Sequence, residues 1–402
     1  MEGKSGNDIE FDKLLQTTRE GSPVPTLIEE FASRRGPQRQ EITSAFARAV
    51  ETTECLPEEL IDDLIARLDD PPPEREAAAS VLASIAATRP DALVDSTELL
   101  AGYLSEPIVS PAIERALSCV GDEDPEALGQ IIPQLRGLLQ TDSALDTDRA
   151  LHLLRILTKE QPELVEPAVP ELLDLTLRGE SSSAESRRDV RSRQHSRKQQ
   201  IKDSQRRLQI AADILFVLSA DGGENLVGRT PDLVEALPEM SEPLQRAVLR
   251  IIANLYAQHT DELQAILRPL CKMLATPKSK GVAVQLARVI AQSHDEDGPI
   301  IASELAPHID VLVDLLDSKK AEGRASAAVI LTHIADHEPE SLRNKHSALR
   351  AALNDPDDSV RASIVWTLGA LGDSPGELRK VAENDESELV RRIAKQFAEE
   401  SV

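Results

Sequence analysis

From Asn354 to Leu371 the chain reads NDPDDSVRASIVWTLGAL, and the rest of the sequence looks like looser copies of this stretch. Asp355-Pro356-Asp357-Asp358 ends one helix and starts another, because a proline disfavours helix in the residue before it and an Asp side chain accepts orphan N–H bonds. Val360, Ile364, Val365, Leu368 and Leu371 then recur at helical spacing and form one broad apolar stripe. A single helical hairpin cannot bury such a stripe alone, whereas stacked neighbours can. The feature therefore constrains the chain to an array.

The rhythm becomes regular from Pro57. Leu60 to Leu68 reads as a first helix, Asp69-Asp70-Pro71-Pro72-Pro73 as a turn, and Arg75 to Ala87 as a second helix. Similar pairs follow to the C-terminus, closing with Leu378 to Val381 and Val390 to Phe397. The residue opening each second helix gives the period. Arg75, Arg115 and Arg149 are 40 and 34 residues apart, Arg207 and Arg246 are 39 apart, and Arg324 and Arg361 are 37 apart. Only Arg149 to Arg207, at 58, is out of step. Two helices per 34 to 40 residues predict an all-α fold, a right-handed α-solenoid of about nine hairpins. With aromatics at 2% of the 402 residues, its core must be Leu, Val, Ile and Ala, which suits closely packed helices.

Asp355 with Arg361, Asp385 with Arg391, and Asp69 with Arg75 each place an Arg six residues after an Asp; Asp317 with Arg324 has one residue more. This pattern resembles the HEAT and HEAT-like (phycobilisome-lyase type) repeat. The resemblance implies that these Asp and Arg residues stack into a structural ladder along the array. The unit around Val282 departs from it, with Gly281 where the Arg is expected. On physical grounds the Asp caps the helix and the Arg fork bridges carboxylates of adjacent turns.

The expected organisation is capping helices over 1–56, repeats over 57–180, a basic insertion over 181–207, and repeats with a C-terminal cap over 208–402. The insertion explains the long spacing. Arg187, Arg188, Arg191, Arg193, Arg197, Lys198, Lys202, Arg206 and Arg207 give it a net +7 against Asp189 and Asp203, in a chain whose remainder carries −32. Only Val190 and Ile201 between Arg187 and Arg207 are apolar at all regularly, so the stretch is expected to be a loop or an exposed extension of the helix that becomes buried at Leu208. These nine side chains are the candidate partner-binding residues.

Charge narrows the partners. Lys plus Arg is 45 against 70 for Asp plus Glu, a formal −25, so most of the surface repels nucleic acid and anionic lipid. Acidity with scarce Lys resembles proteins of salt-accumulating haloarchaea. The N-terminus lacks an apolar signal core and no run suits a membrane span, which points to the cytoplasm. Cys55, Cys119 and Cys271 are far apart and expected to be free thiols.

No catalytic signature stands out in the sequence. His333 and His337 have metal-ligand spacing, but THIADHE lacks the Glu of an HExxH site, and His337-Glu338 is the chain's only His-Glu pair. Trp366, the one Trp, falls in the apolar stripe and is expected in the core. The expectation is a non-enzymatic scaffold or adaptor for one or more proteins, with no catalytic residue, metal or cofactor. Two alternatives remain open: a HEAT-like lyase or metal-dependent enzyme, and a nucleic-acid-associated protein using the basic insertion.

Overall fold

The computed structural model describes residues 58–178, 194–220, 222–372 and 375–400. The expected capping helices, Cys55, and Arg187, Arg188, Arg191 and Arg193 of the insertion lie outside the described residues. Every regular element among the described residues is a helix. The chain divides into two compact units, Met1–Leu175 and Thr176–Val402.

In the first unit the longer elements are α1 (Glu58–Ala66), α2 (Glu74–Thr88), α3 (Thr97–Ala101), α4 (Ser110–Glu123), α5 (Ile132–Leu139) and α6 (Ala144–Glu160), with α7 (Val169–Arg178) crossing the division. Second helices stack in series, α2 on α4 and α4 on α6. Helix α2 is packed on almost every side, with Ala77, Ala78, Ala79, Val81, Leu82, Ala83, Ile85 and Ala86 all buried. Alanine lets neighbouring helix axes approach closely and leaves no strong polar face.

The second unit contains α8 (Gln194–Ala220), α9 (Thr230–Ala236), α10 (Glu242–Gln258), α11 (Leu267–Ala275), α12 (Lys280–Ile290), α13 (Gly298–Leu305), α14 (Ile309–Leu316), α15 (Ala321–His337), α16 (His346–Ala352), α17 (Asp358–Ala370), α18 (Pro375–Asn384) and α19 (Glu388–Glu400). Helices α8, α10, α12, α15, α17 and α19 stack one on the next as an inner series. The shorter helices form the layer that covers them, with α11 on α13 and α14 on α16. The solenoid expected from the period is thus observed as serial stacking in each unit.

Helix α13 was not anticipated. Its Pro299 stands in the first helical turn, a position that suits proline because its missing N–H would have no partner there. It packs on α15, and the close approach is set by Gly298, where a Cβ would fall 2.5 Å from His337 Nε2. Helix α8 begins at Gln194, so the expected basic extension is helical from there into the buried run at Leu208.

Candidate protein-binding surface

The Asp and Arg residues of the repeat come together, although not as the six-residue spacing suggests. Arg324 Nε and Nη2 donate to Asp355 Oδ2 and Oδ1 at 2.6 and 3.1 Å, and Arg361 does the same to Asp385 at 2.9 and 2.8 Å. Each fork reaches forward to the next repeat. The six-residue spacing describes a different contact, in which Arg361 Nη1 donates to the backbone carbonyl of Asp355 at 2.9 Å and Arg391 Nη1 to that of Asp385 at 2.6 Å. Arg324 reaches the Ser318 carbonyl at 3.0 Å, so Ser318, not Asp317, holds the turn position of that repeat.

The helix start explains this register. Asp357 caps α17 by accepting from Ser359 N, while Asp355 sits two residues earlier and accepts from Asp357 N at 2.9 Å. The residue at the turn therefore points one oxygen at its own backbone and both at the preceding Arg. The Asp385 carboxyl is held below the ordinary Asp range, first by the Arg361 fork, and the Arg361 guanidinium is correspondingly raised. Asp69 and Arg75 form no such rung: Asp69 accepts from Tyr103 Oη at 3.0 Å, and Arg75 Nε donates to the Asp70 carbonyl at 2.7 Å.

The first unit uses other charged pairs for the same purpose. Arg149, buried on α6, holds Asp146 of its own helix at 2.9 Å and reaches across to Glu114 of α4 at 3.9 Å. Buried Glu171 receives the Arg136 fork at 3.0 and 2.9 Å and Gln140 Nε2 at 3.0 Å. Burial raises the Glu171 carboxyl, and these donors outweigh it and hold it below its usual value. Sequence reading missed this cluster because its members lie 31 and 35 residues apart on different helices.

The exposed side of the inner series carries a different set. Trp366 is 36% exposed, not in the core, because it lies at the edge of the stripe. Its ring meets Phe397 edge-on at 5.3 Å, and Nε1 donates to Asp336 Oδ1 at 3.3 Å, so one row joins α15, α17 and α19. Gly369 admits this arrangement, since a Cβ there would lie 2.2 Å from the Phe397 ring. On α8 and α10, the Arg250 guanidinium lies 3.9 Å over the Phe216 ring beside exposed Val217. Of the basic extension, Lys202 and Arg206 are exposed and line a groove of about 250 Å3 with Leu208 and with Pro243 and Leu244 of α10. Arg207 is half-buried, and Arg197 and Lys198 fall on the first turns of α8.

No three His, Cys, Asp or Glu side chains gather as metal ligands among the described residues. His333 is buried, and desolvation pushes its imidazole below the ordinary value. Burial pushes the Cys271 thiol up to about 12, which leaves it protonated and unreactive near neutrality. No described helix is long and apolar enough to cross a membrane.

Comparison with known proteins agrees with the stacking. Residues 309–397 match the HEAT repeats family, the stretch that contains both intact rungs. The fold is similar to that of an engineered protein solved by a structural genomics consortium, at 20% identity and a TM-score of 0.56, covering 94% of this chain and 98% of that one. It is similar also to a chain from a structure on a phosphorylation switch controlling the interaction between cadherin and β-catenin, at 14% identity and a TM-score of 0.53, covering 90% and 71%. No curated protein matches the sequence. The chain is thus an all-α repeat stack whose segment 309–397 is similar to HEAT repeats.

Proposed function

We propose that the protein is a non-catalytic scaffold that binds one or more other proteins along the exposed side of its inner helices. The carrying observation is Trp366, the only Trp in 402 residues, held at the surface between Asp336 and Phe397. Exposed Trp and Arg on a rigid frame are the residue types that dominate protein interfaces, because they bury much area with little loss of freedom. Arg250 over Phe216 offers a second such anchor, and Lys202 and Arg206 supply positive charge at one end of the series. The ladder arginines, by contrast, are consumed within the stack and serve stability.

The reading extends to a cytoplasmic protein adapted to high salt, supported by the −25 net charge and few lysines. Proteins captured by crosslinking in an extract of the producing cells test the function. Trp366→Ala and the pair Lys202→Glu with Arg206→Glu are expected to lose at least one partner while keeping the melting temperature. Identical capture by both variants, or metal-dependent turnover by the purified protein, would contradict it.

A further inference from the structure

The ladder is interrupted between α12 and α15, and both charges of the rung are replaced together. Counting from the helix cap, the Arg position four residues after Asp357 is Arg361 and four after Lys320 is Arg324, and on α12 four after Ser279 is Ala283. The notch assigned to Gly281 in sequence therefore belongs to Ala283. The turn position two before the cap, Asp355 and Asp385 elsewhere, is Ser318 at this junction. Its hydroxyl keeps the backbone part of the role, accepting from Lys320 N at 3.4 Å, but it brings no carboxylate.

A cavity of about 330 Å3 opens beside this junction, lined by Arg246, Lys280, Gln285, Ser318, Lys319 and Lys320. Its four cations face a single lining carboxylate, Asp317, on a chain that is strongly acidic. Lys280 Nζ is spent on the Asp314 carbonyl at 2.9 Å, and Arg246 reaches exposed Glu242 at 4.0 Å. No ion pair joins Lys280, Lys319 or Lys320 to a carboxylate among the described residues. Two helix N-termini border the cavity, that of α12 at Lys280 and that of α15 after Lys320, and both add positive potential. Gln285, 8% exposed, is among the lining residues, its buried carboxamide oxygen has no hydrogen-bond partner, and a carboxamide can turn either edge toward a ligand.

We propose that this cavity receives an acidic side chain of a partner protein, which supplies from outside the carboxylate that Asp355 and Asp385 supply within the stack. The proposal rests on the scaffold reading and names the chemistry of one partner segment. Carboxylate-on-cation contacts hold the two following junctions, where a ladder Arg is the cation; at this one the cations are Arg246, Lys280, Lys319 and Lys320. The volume exceeds what one carboxylate fills, which favours a short acidic segment over an isolated anion.

Fluorescence anisotropy with labelled hexaglutamate and the full chain in dilute buffer tests this, with hexaglutamine, inorganic phosphate and a six-nucleotide single-stranded DNA as controls. Hexaglutamate is expected to bind and hexaglutamine not to, against the net charge of the protein. Lys319→Ala with Lys320→Ala should weaken binding roughly tenfold or more, since it removes two of the four lining cations. Ala283→Arg with Ser318→Asp installs an internal rung and should abolish binding while the melting temperature holds or rises. Should that pair fail to fold, the lysine variant alone decides the outcome. No hexaglutamate binding, binding indifferent to the lysine variant, or tighter binding of phosphate or DNA would overturn the proposal. Each of those results leaves the scaffold reading standing, because that is read from captured proteins.

Discussion

Arg361 clamps Asp385 of the following repeat with both arms of its guanidinium, at 2.9 and 2.8 Å, and meets Asp355 of its own repeat only at the backbone carbonyl. The pair joins α17 to the start of α19, with both side chains nearly buried, so it couples two hairpins that are otherwise held by apolar stripes.

Arg361→Ala should therefore leave Asp385, not Asp355, without its charged partner. The expected cost is about 1–3 kcal/mol, in the range for a buried hydrogen-bonded charge left uncompensated. Helix content by circular dichroism should persist, with unfolding beginning earlier at the C-terminal hairpin in hydrogen exchange. Loss of partner capture with unchanged stability would instead make Arg361 a binding residue.

Acid should act in two windows. The Asp385 and Asp357 carboxyls lie below their ordinary values, so their stabilisation is complete above about pH 4 and lost as pH falls through the lower folded values. His333 lies below its ordinary value because burial disfavours the charged ring, so stability falls as pH drops beneath about 6.5. His259 is raised by its bond to the Gly222 carbonyl, so its contribution is full below about pH 6.5 and is lost as pH rises through its higher folded value. The His333 share is thus the difference between wild type and His333→Gln in melting temperature from pH 8 to pH 5 (about the range in which His titrates), and the variant should show the shallower fall.

Gly369→Ala places a methyl group against the Phe397 ring and should cost about 1–3 kcal/mol through overpacking. Trp366 emission is the local report, because its indole rests edge-on against that same ring. An unchanged spectrum and melting curve would mean that α17 and α19 are more loosely packed than described.

Salt should stabilise the chain. At −25, self-repulsion opposes the compact state in dilute buffer, and molar KCl shortens the screening length to about 3 Å. A melting temperature that stays flat from dilute buffer to molar KCl would rule out the high-salt reading.

Helices were legible in the sequence because apolar residues recur at 3.6-residue spacing and Pro and Asp mark the turns. The rung partners were not, since Arg361 and Asp385 are joined by how one hairpin stacks on the next, and the six-residue spacing reports only the backbone contact. Gly281 was a misleading landmark because cap position, set by Ser279, decides which residue faces the turn. Trp366 shares its helical spacing with core residues yet lies at the edge of the stripe, a rotation of one residue that composition does not reveal. The basic extension was visible from charge alone, and its groove with Pro243 and Leu244 needed the structure.

The most direct test of the scaffold account is hydrogen–deuterium exchange of the full chain with and without a captured partner. Protection is expected on the exposed side of the inner helices, around Arg206 to Val217, Arg246 to Arg250, Val329 to Asp336 and Ser359 to Trp366, with the covering helices unchanged. Protection confined to the covering helices, or none at all in a complex that persists, would contradict it.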